Sequence, residues 1–115
     1  MQYLLLIYSN EAEFSALPEA ELRAISEDYG AFTQSIIASG AFKAGDRLEW
    51  ASMATTVRVR DGKTSITDGP FAETREQLGG YYLIEAKDLD EAVAIAAKVP
   101  SARYGSIEVR PVWGM

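Results

Sequence analysis

The ionisable side chains best suited to chemistry lie in one segment, residues 67–84, which reads TDGPFAETREQLGGYYLI. Asp68 could act as a general base if it were buried. Arg75 could hold a carboxylate or a phosphate in a forked contact. We therefore predict a binding site near Asp68, with Asp68 as the candidate catalytic group. The candidate ligand-binding residues are Arg58, Asp68, Phe71, Glu73, Arg75 and Tyr81.

Each of these features also has a structural interpretation. The residues DGPF at 68–71 have the composition of a turn, because proline fixes φ and aspartate can accept hydrogen bonds from turn amides. Glu73, Arg75 and Glu76 would then form a solvated surface cluster, since exposed ion pairs contribute little. The pair Gly79-Gly80 would allow a ligand close to the backbone or form a β-bulge, and we expect the bulge.

The composition limits the chemistry that this chain can perform. Its 115 residues include no histidine and no cysteine, which removes the usual general base near neutral pH, the commonest metal ligand and any thiolate. Catalysis would have to use carboxylates, hydroxyls or cationic side chains. We therefore predict no metal site, and no metal or organic cofactor for any reaction that the protein catalyses.

Charge and hydropathy restrict the partners. The formal net charge of −6 argues against nucleic acid, because phosphate binding depends on clustered Lys and Arg. The apolar run at residues 3–8 (YLLLIY) is far shorter than the roughly 20 residues that span a bilayer. No basic leader precedes that run, so we expect no signal peptide. We expect a cytoplasmic protein that binds neither nucleic acid nor membranes.

Hydrophobic periodicity predicts the main helix. Apolar residues recur at spacings of three and four from Leu22 to Ile36, which is one face of an amphipathic helix. Pro18 suits the first turn and Gly40 supplies a stop. We therefore expect a helix over residues 18–39.

Alternation and turn signals predict the other elements. The pair Asp61-Gly62 separates two β-branched runs and predicts a type I′ hairpin. Asp88 and Glu91 have the spacing of a capping box, so a second helix should start there and end before Pro100. Its expected buried face comprises Leu89, Ala92, Val93 and Ala96. Strands are expected at 3–8, within 41–50, and at 55–60, 63–67, 81–86 and 106–112; 9–17 should be a loop and 74–77 at most one helical turn.

This order of elements predicts a single α+β domain over residues 1–115. Strand, helix, strands, helix, strand is the order of a ferredoxin-like sandwich, in which two helices cover one face of an antiparallel sheet. The other face is left bare. Because residues 3–8 and 81–84 are apolar on both strand faces, we expect a homodimer in which two bare faces pack together.

The chain resembles the DGPF-motif branch of the YCII-related family over essentially its whole length. The resemblance rests on the opening MQYLLLIY, the hairpin TTVRVRDGK, the segment TDGPFAETREQLGGYYLIEA, the helix start DLDEA and the closing IEVRPV. It implies a dimeric α/β barrel of two ferredoxin-like subunits, and an association with extracytoplasmic-function sigma factors. Related proteins place a His–Asp pair in a cleft, and some catalyse elimination on small ring compounds. This chain has no histidine, so it cannot form that pair.

Three functions remain open on the sequence alone. The chain could bind or sense a small molecule in a pocket around Asp68, as an accessory to sigma-factor-linked regulation. It could be a cofactor-free lyase or isomerase that uses Asp68 or a nearby glutamate as general base. It could be a structural partner of a regulator with no ligand. A pocket that buries Asp68 near Arg58 or Tyr81 would favour the first two.

Overall fold

Residues 1–114, which the computed structural model describes, form six strands and three α-helices. Single turns of 3₁₀ helix lie at Ala51–Met53 and Pro100–Arg103. The elements in chain order are β1 (Gln2–Ser9), α1 (Glu11–Ser15), α2 (Glu19–Ala38), β2 (Phe42–Arg47), β3 (Thr55–Arg60), β4 (Lys63–Asp68), β5 (Gln77–Glu85), α3 (Leu89–Ala96) and β6 (Ser106–Pro111).

Four strands form one antiparallel sheet in the order β2-β5-β1-β6. With α2 between β1 and β2 and α3 between β5 and β6, this is the ferredoxin-like arrangement, and it confirms the predicted fold. The run at residues 3–8 of the central strand β1 is apolar on both faces, and both faces are at least partly buried there. Tyr3, Leu5 and Ile7 are buried in the core with the helices, whereas Leu4 and Leu6 lie half-buried on the opposite, open face.

The main helix matches its prediction to within one residue at each end. α2 spans Glu19–Ala38, with Pro18 at its N-cap. Beyond its C-terminus the chain turns at Gly40, whose φ of 84° favours glycine. Phe32 and Ile36, in the C-terminal half of α2, are buried in the core. The helix is therefore anchored on the sheet mainly through that half.

The second predicted helix begins with the expected capping box, although its buried face is smaller than predicted. Asp88 Oδ1 accepts a hydrogen bond from the Glu91 N–H at 2.9 Å, and the Glu91 carboxylate accepts one from the N–H of the residue before Asp88 at 3.2 Å. α3 contacts the core through its small residues, Ala92 and Ala96. The larger members of the predicted face lie about half exposed at its side: Leu89 and Val93.

Two segments differ from their predicted structure. Residues 9–17 are not all loop, because Asn10 Oδ1 accepts from the Glu13 N–H at 2.9 Å and caps the short helix α1. Residues 74–77 form no helical turn. The Thr74 hydroxyl donates to the Glu76 carbonyl, and the Gln77 side chain donates to the Thr74 carbonyl at 2.6 Å, so side chains stabilise an open bend there.

The strand after this bend starts four residues earlier than predicted. β5 begins at Gln77, and Gly79 forms the expected bulge within it. In the pairing with β1, Ile7 lies opposite Gly80 and Tyr8 lies opposite Leu78, which leaves Gly79 without a partner.

β3 and β4 form a separate two-stranded sheet, here called the ribbon (residues 55–68), which projects from the rest of the subunit, here called the body. Asp61 and Gly62 have φ of 52° and 75°, as the predicted type I′ turn requires. Nearly every ribbon residue is exposed. The Cα radius of gyration is 16.0 Å, above the value of about 13 Å expected for a compact chain of this length, because the ribbon extends away from the core.

Candidate ligand-binding cleft

Three of the six predicted site residues lie near the base of the ribbon and face water. Asp68 and Arg58 are exposed on opposite faces of the ribbon. Arg58 Nη2 donates at 3.5 Å to the carbonyl of Phe71, which is 79% exposed. The following turn is held by Thr56, whose hydroxyl donates to the Gly69 carbonyl at 2.8 Å, and Gly69 has a φ of 97°. The DGPF segment therefore has a structural explanation as a turn.

The other three predicted residues lie in two further places. Glu73 and Arg75 are exposed on the bend before β5, where Asn10 Nδ2 donates to the Arg75 carbonyl at 3.1 Å. Tyr81 lies on the open face of the sheet, and its hydroxyl donates to Asp46 Oδ2 at 2.8 Å. That hydrogen bond and the charge of Asp46 raise the pKa of Tyr81. The six residues are not gathered in one pocket of this subunit, and their part in ligand binding stays a prediction.

A cavity, here called the cleft, lies between α2 and the sheet. Its volume is about 740 Å³, which is within the usual range for small-molecule sites. α1, β2, β5 and the segment after β2 line its sides. Residues 22–33 of α2 cover it with one helical face, which comprises Leu22, Ile25, Ser26, Tyr29 and Thr33.

Glycines are among the sheet residues that line the cleft, so no side chains project into the cleft at these positions. Gly45 lies opposite Tyr82 in the pairing of β2 with β5, and a Cβ at Gly45 would come within 2.7 Å of Tyr82 Cδ1. A Cβ at Gly80 would lie 3.0 Å from the Asp46 carbonyl oxygen. The absence of these side chains allows the ring of Tyr82 to lie across β2 and opens space beneath α2.

Aromatic rings line the cleft on two sides. Phe14 and Trp50 meet with their ring centroids 6.3 Å apart and their planes tilted by 60°. Phe42 packs edge-on to Tyr82 at 6.4 Å, and Phe32 packs edge-on to the same ring at 5.2 Å. Such walls offer a flat, apolar surface to a ligand, with ring faces suited to offset or edge contacts.

Paired hydroxyl groups line the part of the cleft near the core. The Thr33 and Tyr82 hydroxyls lie 2.7 Å apart, and the Tyr29 and Ser101 hydroxyls lie 2.5 Å apart. Burial raises the pKa of Tyr29, against a smaller opposing effect of its hydrogen bond with Ser101. Tyr29 is therefore neutral near pH 7, and both pairs can donate to or accept from a polar group on a ligand.

One cation lines the cleft without a charged partner. Arg47 lies opposite Gly80, which has no side chain, and within residues 1–114 it forms no ion pair. The Glu11 carboxylate is engaged elsewhere, because it accepts from the Ala51 N–H at 2.9 Å. Glu49 lies on the same rim. Arg47 is thus free to bind an anionic group of a ligand.

Sequence reasoning missed most of this cleft. It selected none of the lining residues Tyr29, Trp50 and Arg47 as a binding residue. The available signal was glycine in two strands, Gly45 and Gly80, since glycine within a strand often marks a close approach of other groups. That signal indicates a gap only when the two strands are known to be neighbours.

The open face of the sheet carries a second polar group of residues. The Tyr8 hydroxyl donates to Glu108 Oε1 at 3.3 Å, and Arg110 forms an ion pair with the same carboxylate. The hydrogen bond from Arg110 lowers the pKa of Glu108. Burial, followed by the charge of Glu108, raises the pKa of Tyr8. Beside this group the face is apolar, with half-buried Leu6 paired across the strands to Glu108.

Over residues 1–114 the carboxylates do not gather in any group of three that could hold a metal ion. In the same part of the chain, none of the helices has the length and apolar character needed to cross a bilayer.

Two comparisons with known proteins each found a similarity over nearly the whole chain. A family model of the YCII-related domain matches residues 1–115. The chain is also 39% identical over 114 residues to an uncharacterized protein of Rhizobium meliloti (strain 1021). That alignment covers 97% of this chain and 92% of the relative.

Proposed function

The chain belongs to the family of YCII-related proteins, and for this member we propose that it binds a small molecule in the cleft between α2 and the sheet. The observation that carries the proposal is the cleft itself, a cavity of about 740 Å³ lined by aromatic rings and hydroxyl pairs. Largely apolar cavities with a few convergent polar groups are the usual form of a small-molecule site.

The lining indicates the class of ligand. Rings at Phe14, Trp50 and Tyr82 suit a flat apolar body. Arg47 supplies a cation for a carboxylate or a similar anion, and the hydroxyl pairs at the other end suit a polar substituent. We propose an aromatic or other planar carboxylate as the ligand.

The geometry favours binding over a lyase or isomerase that uses Asp68 as its general base. A carboxylate that serves as general base near pH 7 is usually buried, whereas Asp68 lies on an exposed strand end. Asp68 lies outside the cavity, so a substrate bound in the cleft of this subunit would not contact it. An accessory role in sigma-factor-linked regulation stays a proposal from the resemblance, and a cytoplasmic location stays a proposal from the charge and hydropathy of the chain.

We also propose a homodimer through the open face of the sheet, in the manner of a dimeric α/β barrel. Leu4, Leu6 and Leu83 lie on that face and are only half-buried. Two such faces packed together would cover them symmetrically. Light scattering coupled to size exclusion at micromolar concentration should return about twice the chain mass of 12.6 kDa; a single-chain mass would refute the dimer and leave the cleft proposal untouched.

The cleft proposal is tested with 1-naphthoate as the probe, by isothermal titration calorimetry. We expect saturable binding, and a dissociation constant about tenfold weaker in Arg47→Gln, since a charged hydrogen bond is worth about 1.5 kcal/mol. Arg60→Gln on the ribbon is the matched control and should bind like the wild type. Absence of binding up to about 1 mM, or equal losses in both variants, would contradict the proposal.

A further inference from the structure

Charged side chains of both signs lie on the rim of the cleft. Glu11, Arg47 and Glu49 line it, and the three together carry a formal charge of −1. Asp46 also lines the cavity, but its carboxylate accepts from the Tyr81 hydroxyl on the open face of the sheet at 2.8 Å. The rim therefore carries more negative than positive charge.

The backbone holds Arg47 and Glu49 apart on one side of the chain. Arg47 ends β2, and the extended pairing continues for one more residue, since the Leu48 N–H donates to the Gly79 carbonyl at 2.9 Å. Side chains two residues apart on an extended chain point to the same side, and both of these line the cleft. Within residues 1–114 they form no ion pair with each other. The rim thus offers a ligand two separate charges of opposite sign.

The charge of a ligand decides how well it fits this rim. A ligand with a carboxylate alone would pair with Arg47 but bring its negative charge close to Glu11 and Glu49, and like charges brought together lower affinity. The Glu11 carboxylate already accepts from the Ala51 N–H at 2.9 Å, whereas Glu49 lies exposed on the rim. A ligand that also carries an ammonium group turns Glu49 from a repulsive contact into an attractive one.

We propose that the cleft binds an aromatic α-amino acid, with Arg47 on its carboxylate, Glu49 on its ammonium group and its ring against the aromatic walls. This rests on the proposed function and narrows the ligand from planar carboxylates to zwitterions. Side chains two residues apart on an extended chain stand about 7 Å from each other. A carboxylate and an ammonium group on one carbon, with a hydrogen bond of about 3 Å on each outer side, span a similar distance. The hydroxyl pairs deeper in the cleft remain available for a polar ring atom such as an indole N–H.

Three probes that share an indole ring test the two charges separately by isothermal titration calorimetry. L-tryptophan carries both charged groups, indole-3-propionate lacks the ammonium group, and tryptamine lacks the carboxylate. We expect tryptophan to bind about threefold to fivefold more tightly than either of the others, which is the usual contribution of one solvent-exposed charged contact.

Glu49→Gln is the decisive variant because its effect has opposite signs for two of the probes. It should weaken tryptophan about threefold and strengthen indole-3-propionate, whose carboxylate then meets one like charge fewer. Arg47→Gln should weaken both of these probes and leave tryptamine no weaker. Glu27→Gln removes an exposed carboxylate of α2 that lies outside the cleft; it is the matched control and should change none of the three affinities.

The outcomes separate this inference from the proposed function. Indole-3-propionate binding as tightly as tryptophan, or a preference for tryptophan that is unchanged in Glu49→Gln, would overturn the amino-acid ligand and leave the cleft standing as a carboxylate site. Binding of 1-naphthoate without binding of tryptophan would do the same. If neither 1-naphthoate nor any of the three indoles bound, the proposed function would fail and the amino-acid ligand with it.

Discussion

The two halves of α2 have the same amphipathic pattern and different surroundings. In the C-terminal half, Phe32 and Ile36 are buried in the core with Tyr3 and Leu5. In the N-terminal half, the equivalent apolar face stands over the cleft, where β2 and β5 present glycine to the cavity. One helical face therefore serves two purposes: the first half leaves a site open, and the second half holds the helix on the sheet. The difference lies in the sheet residues that face the helix: glycines leave a cavity under the N-terminal half, and large apolar side chains pack against the C-terminal half.

The largest expected effect is the difference in stability loss between an Ile→Ala substitution in the C-terminal half of α2 and one in the N-terminal half. Ile36→Ala should lower the free energy of unfolding by about 3 kcal/mol, because it leaves a void in a packed core. Ile25→Ala, on the same helix face but half exposed, should cost about 1 kcal/mol or less. Urea denaturation with unchanged m-values measures both. Equal losses would show that the N-terminal half is packed as tightly as the other.

A pair of glycine substitutions should give effects of opposite sign. Gly45→Ala places a Cβ 2.7 Å from Tyr82 Cδ1, so the ring must move and we expect a loss of about 1–3 kcal/mol. Gly30→Ala lies in α2, where a Cβ would meet nothing within 4 Å, and it should stabilise the protein by about 0.5–1 kcal/mol. Thermal or urea melts decide. A neutral Gly45→Ala would show that the sheet does not need glycine beneath the cleft.

The Thr33–Tyr82 hydroxyl pair joins α2 to the sheet, and a double-mutant cycle measures that link. Thr33→Val and Tyr82→Phe should each lower stability by about 1 kcal/mol, with most of the loss shared in the double variant. The 2.7 Å separation motivates the coupling. Strictly additive losses would mean that the two hydroxyls act independently.

The smallest effect is a pH dependence from Tyr29 at the inner end of the cleft. Burial raises its folded-state pKa above the unfolded value of about 10. The folded state therefore retains the proton longer, so its contribution is fully present below about pH 10 and is lost as pH rises through the folded pKa. Urea midpoints between pH 8 and 11 should fall less steeply in Tyr29→Phe than in the wild type. Parallel pH profiles would contradict the burial of this phenol.

The fold was predictable from sequence because its signals are local. The repeat of apolar residues in α2, the Asp61-Gly62 turn and the capping box at Asp88 each depend on spacings within a few residues, and the structure has all three. The short helix α1 was missed since five residues give too little periodicity, although Asn10 is a good N-cap.

The cleft was not predictable in the same way because it depends on distant residues. Gly45 and Gly80 are adjacent only after β2 pairs with β5, and Tyr29 meets Ser101 across 72 positions of sequence. A binding site was predicted at the DGPF segment from its local composition, and the structure explains that composition by the turn at Gly69. Local sequence signals therefore predict the turn. A site built from long-range contacts can be identified only when the fold is known.

The most direct test of the central claim is to map 1-naphthoate onto the protein by amide chemical shifts in ¹⁵N–¹H spectra. We expect saturable shifts at Ile25, Arg47 and Gly80, which line the cleft, and unchanged positions for the ribbon residues Val59 and Ile66. The same titration of Ile25→Trp, which adds a bulky ring to the wall of the cleft, should give weaker shifts at the other cleft amides. Shifts confined to the ribbon or to residues 68–75, or no shifts at all, would contradict the assignment of the cleft as the binding site.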